Sequence, residues 1–206
     1  MSKGRRAGAE PGVTHRRDTG HRYALLLIDV VNRFDFDGAE RVRPRALRMA
    51  RRVAALTRRA RTAGVPCVYV NDNFGRWRSD RVRLIARALE PRAPGRQIVE
   101  RLAPADDDYF VIKPLHSGFY STTLDVLLRE LGAKTLVICG VATEACVLFT
   151  AADAYIRGFD VVVPSDGCAS ESVARHRGAL AIMRKMLKAE TPACAGVRFT
   201  RRRPSR

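Results

Sequence analysis

Two spacings of apolar residues alternate along this chain. Short, largely β-branched runs stand at 23–29, 66–70, 109–113, 135–139 and 160–164. Each is a few residues long with little polar interruption, as a strand buried on both faces requires. Between them apolar positions step by three or four. Ala46, Ala50, Val53, Leu56, Ala60 and Ala63 form one stripe, and Leu124, Leu127, Leu128 and Leu131 a second. Each stripe predicts a helix with one core-facing side. Pro44 is expected to open the first helix and Gly64 to close it. Further helices are expected over 81–89, from the turn at Cys146 toward Ile156, and over 172–188, with 197–199 as a short sixth strand. Strands alternating with helices predict an α/β fold, a parallel sheet covered on both faces in three layers. No repeat or long linker divides it. The expected organisation is a disordered basic arm over 1–22, one domain over 23–200 and a basic tail over 201–206.

Composition narrows the setting. A length of 206 residues with 46% hydrophobic content suits one α/β domain with a full core. No apolar run approaches the roughly 18 residues of a membrane span, and the N-terminus has charge without an apolar stretch. A cytoplasmic location without membrane partners is therefore expected. Five cysteines, at 67, 139, 146, 168 and 194, are odd in number and irregular in spacing, which predicts reduced thiols. The net charge of +17 points toward nucleic acid or another polyanion. Yet the excess is almost all arginine, much of it opposite an apolar stripe (Arg45, Arg48, Arg51, Arg52, Arg58, Arg59). No basic recognition helix, stacking-aromatic strand or zinc finger accompanies it. The expected partner is a small-molecule substrate, not nucleic acid.

Candidate chemistry centres on residues 135–147. The run Thr135-Leu-Val-Ile-Cys139 breaks at Gly140, turns, and starts a helix with Cys146 in its first turn. Unpaired N–H groups and the positive dipole end favour a thiolate there. A strand, a sharp turn and a nucleophile at a helix start also direct N–H groups at a developing oxyanion. A core cysteine on a covering helix is the alternative. Asp29 and Lys113 stand, like Cys146, directly after strands, at the rim where open parallel sheets bind ligands. Alone, Asp29 reads as a turn residue and Lys113 as a surface charge. Together with a thiol they make a coherent set: a base, a cation that holds the thiolate, and a nucleophile.

Residues 23–188 resemble the isochorismatase-like cysteine hydrolases, which include nicotinamidase, N-carbamoylsarcosine amidase and ureidoacrylate amidohydrolase. Asp29-Val-Val-Asn-Arg-Phe34 is similar to the family's D-x-Q-N-D-F, with Val31 and Arg33 in place of Gln and Asp. Lys113-Pro-Leu-His-Ser-Gly-Phe119 resembles its lysine segment. Gly140-Val-Ala-Thr-Glu-Ala-Cys-Val147 fits G-x-x-T-x-x-C-V. Thr150-Ala-Ala-Asp-Ala154 and Asp166-Gly-Cys-Ala-Ser170 fit the two segments after it. The resemblance implies a six-stranded, Rossmann-like sheet of order 321456. It implies a catalytic triad of Asp29, Lys113 and Cys146, a cis peptide at Val141–Ala142, and an oxyanion hole from the N–H groups of Ala142 and Cys146. It also implies a homo-oligomer, a dimer or tetramer, in which a second subunit contributes pocket walls.

Nicotinamidases build a metal site on an Asp-x-His motif after the second strand. Here that loop reads Asn71-Asp-Asn-Phe-Gly-Arg-Trp77, without histidine, and the four histidines (His15, His21, His116, His176) are far apart in sequence. No catalytic metal and no cofactor are expected. Phe34 and Trp77 are candidate pocket walls, with Phe119, while Asn73, Arg76 and His116 are candidates for a polar end of the substrate. The expected activity is cleavage of a C–N bond in a small amide or carbamoyl compound through a thioester. The alternatives are vinyl ether hydrolysis, and a non-catalytic polyanion-binding protein on the same scaffold.

Overall fold

The computed structural model describes residues 22–199. All but Arg22 of the expected arm, and the whole of the expected tail, lie outside the described residues. The elements are β1 (Tyr23–Ile28), α1 (Ala39–Thr62), β2 (Cys67–Asp72), α2 (Arg81–Ala88), α3 (Arg96–Arg101), β3 (Tyr109–Lys113), α4 (Leu124–Glu130), β4 (Thr135–Val141), a π-helical turn (Thr143–Val147), α5 (Leu148–Ile156), β5 (Asp160–Val162), β6 (Cys168–Ala169), α6 (Val173–Met186) and a 3₁₀ turn (Cys194–Gly196).

The six strands form one sheet of order β3-β2-β1-β4-β5, with β6 also on β4, and every pairing is parallel. β1 lies at the centre. Its residues 24–28 are fully buried, and their alternation sends them to two cores. Leu25 and Leu27 join Ala46, Val53 and Leu56 of α1 on one face. Ala24, Leu26 and Ile28 join Leu124 and Leu128 of α4, Ala151 of α5 and Met183 of α6 on the other. A one-residue slip in β1 would exchange the two sets, so its register is firmly specified.

Several boundaries differ from expectation. α1 begins at Ala39, so Pro44 lies inside it. Pro44 is exposed, and the missing N–H removes one intrahelical bond on the solvent side. α3 follows the Pro/Gly connection that sequence alone leaves as a loop. The sixth strand is Cys168–Ala169, which extends the edge of β4 beyond β5, whereas 197–199 is not strand. Arg59 is not a solvated charge. Its guanidinium donates to the carbonyls of Cys194 (2.9 Å) and Val197 (2.8 Å) and ties the last turn to α1. Among the described residues no helix is long and apolar enough to cross a membrane.

Candidate active site

Asp29, Lys113 and Cys146 meet at the carboxyl rim of the sheet. Asp29 is the first residue beyond β1 and takes a left-handed conformation (φ 52°), a shape aspartate tolerates better than most residues. Its backbone N–H donates to Val70 O at 3.0 Å. The next turn is clamped by fully buried Asn71, whose side chain accepts from Val31 N–H (3.1 Å) and donates to Val31 O (2.7 Å). The chain therefore leaves β1 in one direction only. The carboxylate is 4% exposed. Its Oδ1 accepts the backbone N–H of Asp72 at 2.7 Å, and its Oδ2 faces Lys113 Nζ at 2.9 Å.

Lys113 ends β3 opposite Asp72 in the β2–β3 register and is fully buried. Its ammonium also reaches Asp72 Oδ2 at 3.3 Å and donates to Cys146 Sγ at 3.6 Å. An unpaired ammonium would not survive such burial; two carboxylates hold it. Asp72 does not stand out in the sequence, because its role depends on the register that puts it beside Lys113.

Cys146 sits in the turn after β4. That strand runs hard against β1: a Cβ on Gly140, whose φ is 137°, would stand 2.1 Å from Ile28 O. Only glycine fits such an approach. The Val141–Ala142 peptide that follows is cis. The π-helical turn then closes with Val147 N–H on Ala142 O at 3.2 Å. The opening N–H groups of a helix have no acceptor within it, and Cys146 lies among them. A second pair of bonds braces this turn. Thr143 Oγ1 lies 2.9 Å from His176 Nδ1 and His176 Nε2 lies 2.9 Å from Ser165 O. The carbonyl can only accept, so Nε2 carries the proton and the threonine hydroxyl donates to Nδ1. Ser170 Oγ donates to Glu144 Oε1 at 2.8 Å.

The electrostatics differ from the expected thiolate. Burial, reinforced by the charge of Asp29, pushes the Cys146 thiol up to about 12, with Lys113 opposing. Burial likewise lifts the Asp29 carboxyl above its ordinary range, against the pull of Lys113 and hydrogen bonds from Cys146, Lys113 and the Asp72 N–H. Burial would lower Lys113, but Asp29, Cys146 and Asp72 together raise it. The thiol thus rests protonated near neutral pH, beside an ammonium held by Asp29 and Asp72. Desolvation outweighs the helix start because Cys146 is partly enclosed by neighbours that already include a negative charge.

The other candidate site residues fare differently. Phe34 is fully buried in the core and Phe119 is 5% exposed, packed between Phe159 and Arg157. Neither presents a face to a ligand, which corrects their reading as pocket walls: the loops that carry them fold inward. Asn73 is also buried, its Oδ1 accepting from Gly75 N–H at 2.9 Å, so it shapes its own loop. Trp77 is 81% exposed and with Arg76 lines a cleft of about 680 Å³ alongside Arg83, Leu84 and Arg87, without any of the three rim residues. His116 does reach the centre, with Nδ1 3.9 Å from Cys146 Sγ. Another cleft, of about 860 Å³, lies at the opposite rim near Tyr23, Thr135 and Asp160. Its size carries less weight than the chemistry at the carboxyl rim, where parallel sheets bind ligands. Among the described residues no three His, Cys, Asp or Glu side chains group as metal ligands; Asp72 faces the Lys113 ammonium and His176 braces Thr143.

The isochorismatase domain matches residues 23–193. The chain belongs to the isochorismatase family. The uncharacterized isochorismatase family protein YaaI of Bacillus subtilis is 38% identical over 167 residues, covering 81% of this chain and 91% of that protein. Ureidoacrylate amidohydrolase RutB of Methylobacterium radiotolerans is 32% identical over 189 residues, covering 76% and 71%. The structure of N-carbamoylsarcosine amidase from Thermoplasma acidophilum superposes with a TM-score of 0.67 at 26% identity, over 85% of this chain and 98% of the other. The isochorismatase fold and membership among hydrolases thus follow from sequence and structure alike.

Proposed function

We propose that this member of the family is a cysteine amidohydrolase that cleaves the C–N bond of a small amide or carbamoyl compound through a thioester on Cys146. One observation carries the reading: the ammonium of buried Lys113 lies 2.9 Å from Asp29 and 3.6 Å from the Cys146 sulfur. Two relatives whose names state amide chemistry, the ureidoacrylate amidohydrolase and the N-carbamoylsarcosine amidase, support it.

The chemistry follows from the resting charges. Asp29 takes the thiol proton as Cys146 Sγ attacks the substrate carbonyl. A carboxyl lifted by burial is a stronger base than an ordinary one, and the thiolate forms only as it reacts, held by Lys113. The N–H groups of Ala142 and Cys146 receive the carbonyl oxygen as it becomes an oxyanion. One such donor is typically worth ~10²–10³ in rate. The protonated Asp29 then delivers its proton to the departing nitrogen, so the C–N bond breaks without expelling an amide anion, and water hydrolyses the thioester.

The test is ammonia release from a panel of primary amides, ureas and carbamoyl acids by the wild-type protein and Cys146→Ala. Release that vanishes in the variant is expected. Full turnover by Cys146→Ala would overturn the thioester route, and cleavage of a vinyl ether in place of any amide would favour the chemistry for which a carboxyl acid suffices. A protein that turns over nothing but shifts nucleic acid in a salt-sensitive manner would overturn the enzymatic reading altogether.

A further inference from the structure

The geometry points to His116 as the catalytic base that hydrolyses the acyl-enzyme, a role that rests on the thioester reading above. Asp29 enters the second half-reaction with both of its oxygens already engaged. Its Oδ1 is occupied by the Asp72 N–H and its Oδ2 by Lys113, and the residue is only 4% exposed. His116 lies on the open side. It is exposed, its Nδ1 stands 3.9 Å from Sγ, and it is the one imidazole within reach of the thiol among the described residues, since His176 faces Thr143 and Ser165.

The local sequence explains how an exposed histidine is held there. His116 belongs to the strap Lys113-Pro-Leu-His-Ser-Gly-Phe119, which is fastened to α5, the helix continuing from Cys146. The His116 ring stacks on Phe149 with centroids 5.5 Å apart. Next to it, Ser117 Oγ donates to Asp153, and Gly118 N–H donates to Thr150 Oγ1 at 2.9 Å. A Cβ on Gly118 would come 2.9 Å from Val70 and 3.1 Å from Leu124, so the strap reaches α5 only with glycine at this position. Three successive residues are thus docked on one turn of the helix that begins at the nucleophile. The ring is held by packing while its edge stays open to water.

The step balances. In the acyl-enzyme the substrate carbonyl carbon is bonded to Sγ. A water between that carbon and the imidazole gives a proton to the unprotonated ring nitrogen as its oxygen bonds to the carbon. The tetrahedral adduct collapses by breaking the C–S bond. The leaving thiolate takes the proton back from the imidazolium beside it, and the products are the carboxylic acid and the neutral thiol. Lys113 keeps its proton and holds the negative sulfur in passing.

p-Nitrophenyl acetate isolates this step, because its leaving group needs no proton and its acetyl group stays on the sulfur. In His116→Ala and His116→Gln, a burst of about one equivalent of nitrophenolate per subunit is expected at the wild-type rate, followed by steady turnover ~10²-fold slower than wild type. An acetylated protein should accumulate in intact mass spectra, and added imidazole should restore turnover in His116→Ala. Both side chains replace an exposed residue, and unchanged thermal midpoints would certify folding. Steady turnover equal to wild type, or slowing confined to the burst itself, overturns the proposal, the second outcome assigning His116 to acylation or substrate binding. The Cys146→Ala control separates the two levels: a burst that persists there removes the thioester reading, whereas a Cys146-dependent burst with normal turnover in both His116 variants removes only the role of the histidine.

Discussion

A thiol, a carboxylate and a cation come together at each rim of the sheet. At the carboxyl rim they are Cys146, Asp29 and Lys113. At the amino rim they are Cys67, at the start of β2, Asp108, just before β3, and Arg61, in the last turn of α1. Arg61 pairs with Asp108, and both act on Cys67, whose thiol is pushed up to about 12 by burial and by the charge of Asp108, with Arg61 opposing. Cys146 is pushed to the same value by the same kinds of cause. Proximity of the three groups, and even the size of the shift, therefore do not distinguish a nucleophile from a structural thiol. What differs is the backbone. Cys67 lies within a strand, 2% exposed, its S–H directed to Val65 O at 3.7 Å. Cys146 lies partly open in a π-helical turn behind a cis peptide, within the first four residues of the helical segment.

The largest contrast is expected at the sulfurs. Cys146→Ala should lower kcat by at least about 10³-fold, while Cys67→Ala should leave kcat within about twofold and cost about 1 kcal/mol of stability. Equal losses of activity, measured on whichever amide the panel identifies, would erase the distinction.

The cations come next. Lys113→Met leaves Asp29 and Asp72 facing each other without their ammonium, and should cost about 3 kcal/mol in denaturant unfolding as well as turnover. Arg61→Met strands Asp108, which still accepts the Ala105 N–H at 2.7 Å. With the guanidinium about a third exposed, the cost should be nearer 1 kcal/mol, with turnover intact. A more damaging Arg61 variant would mean that the amino-rim pair matters more to the fold than its exposure allows.

Gly140→Ala sharpens the backbone half of the comparison. Its methyl has to displace the carbonyl of Ile28, so a loss of about 2 kcal/mol or more is expected, together with a slower burst from p-nitrophenyl acetate. A stable, fully active variant would mean that β4 can draw away from β1 without disturbing the turn.

The smallest effect is shared by both sites. The thiols titrate near 12 in the fold and near 8.5–9 in the unfolded chain. Their contribution is therefore complete below about pH 9 and is lost as pH rises toward 12, because the unfolded state ionises first. Between pH 7 and pH 10 each should account for roughly 1.5 kcal/mol of lost stability. Cys67→Ala and Cys146→Ala should each flatten the alkaline limb of unfolding free energy; unchanged limbs would contradict the burial of these sulfurs.

Much of the fold is legible in the sequence because period and burial agree. β1, β3 and the stripe of α1 are specified by consecutive choices that support one another. The meeting of Asp29, Lys113 and Cys146 at one rim is legible for the same reason, since each ends or follows a strand. Other features depend on distant partners. Asp72 acquires its meaning from the register opposite Lys113. Phe34 and Phe119 look like pocket aromatics until their loops turn inward. The two-residue β6 carries too little pattern to be distinguished from a loop, and the apolar residues of 197–199 pack on the core without pairing to a strand. The protonation of Cys146 is the most instructive case: the helix start is visible in the sequence, but the enclosure that outweighs it is not.

The grip on Asp29 Oδ1 comes from the main chain of residue 72, not from its side chain. Any residue there except proline can supply it. A change of side chain at position 72 would therefore alter the company of Lys113 but leave the main-chain grip on Asp29 in place. The aim of one carboxylate is thus written into the backbone, where exchange of a neighbouring side chain does not reach it.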